Sequence, residues 1–397
     1  VSKLLAVQRN DGSLQIVDIT DGREQTVVPT VDKELYDMQW THDGLRLLTV
    51  NSKSAALWDA RTGARLTKPF DVPPTKEFLP FSQVTLSPDE KHLLNVKQDN
   101  SIRATAFDRD RAMAQVWSVE SGQLKFEMKI DGRFACAEFS PNGKQILTTS
   151  EKGDPRLWDV ETGRLFVKLK PPYPAAFGEA SQAEFTPDGR YVVHRHETGI
   201  YIWHSSSGAI NTRISYPHDT TANTFRGFTP DGKMFVMMHQ TYGWDMPVSI
   251  ELRDCETGEL RLTLSEKKWG DWPNKVLWSN DARTLVVTSG HKYKARIWDV
   301  ASGKVRAKLS LVLSYSRIPF DFGFKDRDEL ALHPTMPVMS GTTNKFIRLW
   351  NTDTGELMQT IDRTNARRGE WSSDGKLFLT FAKDFQSAEV WDVVGQE

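Results

Sequence analysis

A seven-residue phrase returns nine times along this chain of 397 residues, and it fixes what the chain can fold into. The clear copies are LWDARTG at 57–63, VWSVESG at 116–122, LWDVETG at 157–163, IWHSSSG at 202–208, LRDCETG at 252–258, IWDVASG at 297–303 and LWNTDTG at 349–355. Weaker copies are IVDITDG at 16–22 and a shortened VWDVVG at 390–395. Each is an apolar, often β-branched run, then Trp-Asp, then a turn closing on Gly, the residue suited to a turn position with positive φ. Self-similarity at this spacing marks a repeat architecture. Length alone would suggest two or three domains, but repeats extend one body instead.

A second phrase alternates with the first. It reads QWTHDG at 39–44, TLSPDE at 85–90, EFSPNG at 138–143, EFTPDG at 184–189, GFTPDG at 227–232, LWSNDA at 277–282, ALHPTM at 331–336 and EWSSDG at 370–375. Each is an aromatic residue or Leu at a strand end, followed by a tight turn; the Asp-Gly versions are hairpin signals. An alternating run follows each, such as LRLLTV at 45–50. One unit therefore reads strand a, tight turn, strand b, variable loop, strand c with Trp-Asp, tight turn, strand d. Helical periodicity is absent. Four antiparallel strands in 40–45 residues make a propeller blade.

On these phrases the chain resembles the WD-repeat β-propeller family over essentially its whole length. The resemblance implies an all-β propeller of four-stranded antiparallel blades and a docking role beside signalling or assembly partners. One departure stands out. The family's Gly-His before strand a is missing, and its Asp six residues before the Trp is Glu197 in one unit, Asn344 in another and absent elsewhere. The Asp-His-Ser/Thr-Trp hydrogen-bond network is therefore not expected, and blades should rest on apolar packing. The same loose repeat is common in bacterial members, so a bacterial source is expected.

The first unit has no strand a and the last ends before strand d. Residues 1–30 are read as an N-terminal hairpin, with QTVVP at 25–29 as a strand that closes the ring and hides an open edge. That gives eight blades over 1–397, with seven or nine as alternatives.

Variable length sits at one end of the units. Six units place 14 to 16 residues between the a–b turn and the Trp position, whereas Glu90 to Trp117 is 27 and Gly232 to Arg253 is 21. From Gly303 to Leu332 the d–a connection is 29, against 16 to 23 elsewhere. In an antiparallel blade the b–c and d–a connections leave the same end, and long loops on a rigid scaffold are where binding sites lie. These loops carry Phe107, Tyr173, Trp244, Trp269, Trp272, Tyr315 and Arg317. Such side chains either fold back into their own loops or form an interface. As a set of aromatics and Arg they are read as partner-binding anchors.

There is no P-loop, no Gly-x-Ser-x-Gly elbow and no His-Glu-x-x-His. His194 and His196 share a strand face but lack an evident third ligand, so no metal and no cofactor is expected. Cys136 and Cys255 fall in different units; with no Asn-x-Ser/Thr sequon they point to a reducing cytoplasm. Lys plus Arg is 51 and Asp plus Glu is 52, which argues against a nucleic-acid surface or a polybasic membrane patch. No apolar run is long enough for a membrane helix. The start at Val1 is read as that of a fragment or of a processed product, compatible with a module cut from a longer protein. The expected function is a non-catalytic interaction scaffold, as a module or subunit of a larger protein or complex. The alternative is an enzyme or small-ligand binder at the mouth of the central channel.

Overall fold

The apolar runs around each repeated phrase form strands, and the turns between them are made by the phrases themselves. The computed structural model describes the chain apart from residues 1–3, 10, 19–22, 31–34, 42, 52–53, 68–83, 99–110, 132–135, 151–153, 173–181, 197–198, 217–221, 241–247, 267–272, 280, 290–293, 311–328, 333–337, 343–345, 363–365, 372–376, 383–387 and 393–397. Among the described residues there are nine antiparallel sheets and no helix. They divide between two units, Val1–Ser215 and Tyr216–Glu397. The fold is that of a β-propeller.

In the first unit, sheet 1 is Leu4–Gln8, Leu14–Asp18 and Glu24–Val28, and sheet 2 is Leu35–Trp40, Arg46–Asn51 and Ala55–Asp59. Sheet 3 is Val84–Leu86, His92–Gln98, Arg111–Ser118 and Leu124–Asp131. Sheet 4 is Cys136–Phe139, Gln145–Thr149, Arg156–Asp159 and Leu165–Lys168, and sheet 5 is Gln182–Phe185, Tyr191–His196, Gly199–His204 and Ile210–Ser215. In the second unit, sheet 6 is Ala222–Phe228, Met234–Gln240, Val248–Asp254 and Leu260–Glu266. Sheet 7 is Pro273–Trp278, Thr284–Ser289, Lys294–Asp299 and Lys304–Ser310. Sheet 8 is Glu329–Leu332, Val338–Thr342, Phe346–Asn351 and Leu357–Asp362, and sheet 9 is Ala366–Trp371, Leu377–Ala382 and Ala388–Asp392. The segment read as a closing strand, 25–29, lies largely in Glu24–Val28, the outer strand of sheet 1, paired Leu14↔Val28 with the strand before it.

The core lies between the faces of consecutive sheets. Leu14, Ile16 and Val28 of sheet 1 meet Leu47, Ala56 and Trp58 of sheet 2. Leu48, Val50 and Leu57 of sheet 2 then meet Val84, Leu93 and Trp117 of sheet 3. In the second unit, Val236, Ile250 and Leu264 pack on Leu285, Val287 and Trp298. A central strand is thus covered on both faces, so its buried positions run continuously, as in Leu47–Val50, instead of alternating. Trp58, Trp117, Trp203, Trp298 and Trp350 each face the preceding sheet, and Trp298 is 1% exposed. A ring of that size supplies several kcal/mol of apolar burial at each junction.

The Asp of Trp-Asp caps its own turn. Asp159 Oδ1 accepts from the Thr162 N–H at 2.8 Å and the Thr162 hydroxyl at 2.7 Å, while Gly163 N–H donates to the Asp159 carbonyl at 2.9 Å. Asp59, Asp254 and Asp299, and Asn351 in their place, accept in the same manner. The Gly that closes the turn has a second duty. Gly163 has φ +65°, and a Cβ there would stand 2.5 Å from Cγ of Phe126 on the outer strand of sheet 3. The a–b turns are equally regular. Thr186 donates to Asp188 Oδ1 at 2.6 Å, Asp188 accepts the Arg190 N–H at 3.0 Å, and Thr186 Oγ1 accepts the Tyr191 N–H at 3.1 Å.

The four-residue network was not expected; its last link alone, from Trp to a strand-b hydroxyl, is present in sheets 2 and 4. Trp58 Nε1 donates to Thr49 Oγ1 and Trp158 Nε1 to Thr148 Oγ1, each at 2.8 Å. Val287 takes that register position opposite Arg296, and among the described residues the buried Trp298 N–H has no partner.

Candidate functional site

Within each four-stranded sheet both tight turns lie at one end, so the b–c and d–a connections leave from the other. The turn end has little room for variation, because its polar groups are already bound within the turn. The seven anchors read from the sequence all fall on the connections, outside the described residues. The strands that hold those connections are described. Phe107 lies between His92–Gln98 and Arg111–Ser118, and Tyr173 between Leu165–Lys168 and Gln182–Phe185. Trp244 lies between Met234–Gln240 and Val248–Asp254, and Trp269 and Trp272 between Leu260–Glu266 and Pro273–Trp278. Tyr315 and Arg317 lie between Lys304–Ser310 and Glu329–Leu332. Of the three connections that carry five of the anchors, sheets 6 and 7, which pack face to face, thus hold both ends of two and the first end of the third, whose other end is in sheet 8.

The two histidines are core side chains. His194 is 1% exposed, its ring 5.8 Å edge-on from that of His196 and 6.2 Å from Tyr201. Burial, with His196 adding to it, pulls His194 down to about 3, so it is neutral at physiological pH. Among the described residues no three His, Cys, Asp or Glu side chains are grouped to hold a metal ion. Cys136 is an exposed free thiol and Cys255 a buried one.

One polar constellation was missed. Between sheets 4 and 5 lies a cavity of about 200 Å³ lined by Cys136, Glu138, Thr149 and Glu184, with Ala137, Leu147 and Ala183 as apolar wall. Register places Cys136 opposite Thr149 and Glu138 opposite Leu147. Glu138 accepts the Phe185 N–H at 2.8 Å, joining sheet 4 to sheet 5. Burial pushes the Glu138 carboxyl up to about 7; the Phe185 N–H opposes this and the charge of Glu184 adds to it. Burial also raises Glu184. The Cys136 thiol is raised by burial and then by both carboxylates, which leaves it a poor nucleophile. The signal was present in the sequence: EFSPNG and EFTPDG put Glu at the same place in two successive units.

No protein-family model matches the chain. The nuclear distribution protein PAC1-1 of Uncinocarpus reesii is 25% identical over 276 residues, 66% of this chain and 59% of that protein. The nuclear distribution protein nudF of Aspergillus niger is 23% identical over 293 residues, 70% of this chain and 62% of that protein. Protein tipD of Dictyostelium discoideum is 32% identical over 95 residues, 24% of this chain and 15% of that protein. The first two relatives are WD-repeat proteins, and the chain spans 59% and 62% of their length. They are fungal, so the expected bacterial source finds no support in them. Among solved structures, the crystal structure of the eukaryotic initiation factor matches with a TM-score of 0.70 at 14% identity, covering 100% of this chain and 94% of that one. The computationally designed Ika8 protein matches with a TM-score of 0.51 at 14% identity, covering 90% and 96%. Both likenesses concern the fold alone.

Proposed function

We propose that the chain is a non-catalytic protein–protein interaction scaffold that binds through the b–c and d–a connections. Phe107, Tyr173, Trp244, Trp269, Trp272, Tyr315 and Arg317 are its anchors. The observation that carries this reading is the contrast between the two ends of the sheets. One end is a set of short turns whose donors and acceptors satisfy one another. The other carries every long connection and most of the loop aromatics. The relatives support it, because WD-repeat proteins of this kind act within protein complexes. The scaffold works as a module or subunit of a larger assembly, in the cytoplasm, where free Cys136 and Cys255 stay reduced. It uses no cofactor, nucleic acid or membrane insertion.

The test is affinity capture from native lysate with the wild type and a triple alanine variant at Trp269, Trp272 and Tyr315. A partner held by the wild type and lost by the folded variant supports the loop face. A partner retained by both moves the interface to the turn end or the sheet edges. Capture of nothing by either overturns the scaffold reading and favours a small-ligand binder.

A further inference from the structure

The outer strands of sheets 3 to 8 share one irregularity. Each opens opposite the repeated Trp, or opposite Arg253 in sheet 6, and the residue after that is skipped in the register as a β-bulge. In sheets 3, 6 and 7 the bulged residue is a cation paired with an acid. Lys125 meets Glu161 at 3.3 Å, Arg261 meets Asp254 at 3.0 Å and Arg306 meets Asp299 at 2.5 Å. In sheet 5 it is Asn211, and in sheet 8 Met358. In sheet 4 it is Phe166, which is 48% exposed beside Leu165 at 41%. A scattered exposed Leu needs no explanation. An aromatic ring held out to solvent, at a place that three other sheets give to a paired cation, does.

A second observation is the charge on the same strand. Arg164, Lys168 and Lys170 are all exposed, and none of them makes an ion pair among the described residues. Lys168 stands directly opposite Arg156 in the register, and like charges so placed repel. Arg156 is held there, since its Nη1 donates to the Lys129 carbonyl of sheet 3 at 3.1 Å. Glu161, in the c–d turn of sheet 4, is already committed to Lys125. The backbone is open as well. Leu165–Lys168 is the last strand in the order of sheet 4, and the Leu169 N–H turns inward to the Pro155 carbonyl at 2.8 Å. By the alternation of a strand, the Lys168 N–H turns outward. The outer strand of sheet 8, LMQTID at 357–362, repeats the exposed apolar pair but has no Lys or Arg.

We propose that the outer edge of sheet 4, at Leu165–Lys168, is a docking strand for an extended acidic segment of a partner protein. The segment adds to the sheet edge and accepts the Lys168 N–H. Its apolar side chains cover Leu165 and Phe166, and its carboxylates meet Arg164, Lys168 and Lys170. Charge complementarity selects this occupant, because a carboxylate set beside Lys168 relieves the repulsion from Arg156. An anionic membrane fits less well. Glu161, with its side chain 76% exposed, precedes the strand and would repel the lipid surface, and the whole chain has a formal charge of −1. This edge is separate from the loop anchors and goes beyond the scaffold reading. Failure at the edge leaves the loop face untouched, and failure at the loop face leaves the edge untouched.

The test is fluorescence anisotropy of the full chain with a fluorescein-labelled peptide that alternates Asp or Glu with Val or Phe. A second peptide carries Lys in place of every acid. Saturable binding of the acidic peptide, about tenfold tighter than the basic one, is expected. Phe166→Asn installs the residue type that sheet 5 carries at this place, so the fold should tolerate it. Phe166→Asn and Lys168→Glu should each weaken the acidic peptide about fivefold. Met358→Asn, the matching change in sheet 8, should leave it unchanged. Hydrogen exchange at the Lys168 amide should slow when the peptide is added. Absence of saturable binding overturns the proposal. So does equal binding by the wild type and both folded sheet 4 variants, or an equal loss in Met358→Asn. An unchanged Lys168 amide at saturating peptide overturns the added strand. Sedimentation with vesicles of equal parts phosphatidylserine and phosphatidylcholine, lost in Phe166→Asn and without peptide binding, would assign the edge to a membrane instead.

Discussion

The indole N–H of Trp158 donates to the hydroxyl of Thr148 at 2.8 Å, two residues along from the Thr148↔Arg156 pair. Trp58 and Thr49 repeat the relationship at the same register. Trp298 faces Val287 at that position and has no acceptor among the described residues. An unsatisfied buried donor costs about 1–3 kcal/mol. Thr148→Val should therefore lower stability by about 1–2 kcal/mol in urea unfolding followed by tryptophan fluorescence. Val287→Thr should raise it by about 0.5–1 kcal/mol. Two changes of the same sign would contradict the indole–hydroxyl pairing as their cause.

Gly163 is constrained twice over. Its φ of +65° disfavours any L side chain, by about 1–2 kcal/mol, and a methyl group would run into the Phe126 ring. Gly163→Ala should lower stability by about 2–4 kcal/mol when overpacking is included. Combining it with Phe126→Ala should restore only the steric part. Full additivity of the two losses in thermal unfolding would contradict this contact.

Among the described a–b turns, two place other residues where Gly44, Gly143, Gly189 and Gly232 stand in the rest. Ala282 has φ +56° and Glu90 has φ +59°. Ala282→Gly should stabilise by about 0.5–1 kcal/mol, since it relieves the left-handed strain and loses only chain entropy. Glu90→Gly should show no such gain, because Glu90 also pairs with Arg46. Melting temperatures of the two variants settle the comparison, and an equal gain at both would remove the ion pair from the account.

Glu138 should impose a pH dependence. Its folded carboxyl is raised to about 7 from 4.5, chiefly by burial. Between those values the folded chain holds a proton that the unfolded chain has released, so its contribution is full below 4.5 and is lost as pH rises to 7. Relative to wild type, Glu138→Gln should gain roughly 2–3 kcal/mol across that interval. A difference between the two proteins that stays constant from pH 4.5 to 7.5 in denaturant titrations would show that Glu138 ionises normally.

The fold was legible in the sequence because its signals are local. Asp159, Thr162 and Gly163 build a turn from three neighbours, and Thr186 and Asp188 build another from two residues in the same phrase. The Trp–Thr link was less legible. It depends on a residue ten positions away on the adjacent strand, and no fixed phrase marks that residue. The cavity was missed for a similar reason. Cys136, Glu138 and Glu184 meet only when two sheets pack, although the paired EFSPNG and EFTPDG phrases hold the clue. The seven loop anchors rest on length and composition, which carry no register and therefore no geometry.

The glycine that closes each c–d turn looks backwards along the chain. Gly63 rests against Val27, Gly163 against Phe126, Gly208 against Val167 and Gly355 against Ala307, in each case on the outer strand of the sheet made just before. The repeated Trp leans in the same direction. A polypeptide emerging from a ribosome supplies its N-terminal sheets first. Each newly completed sheet within a unit thus finds its template already synthesised, and the structure suits growth by accretion, one repeat settling on the last.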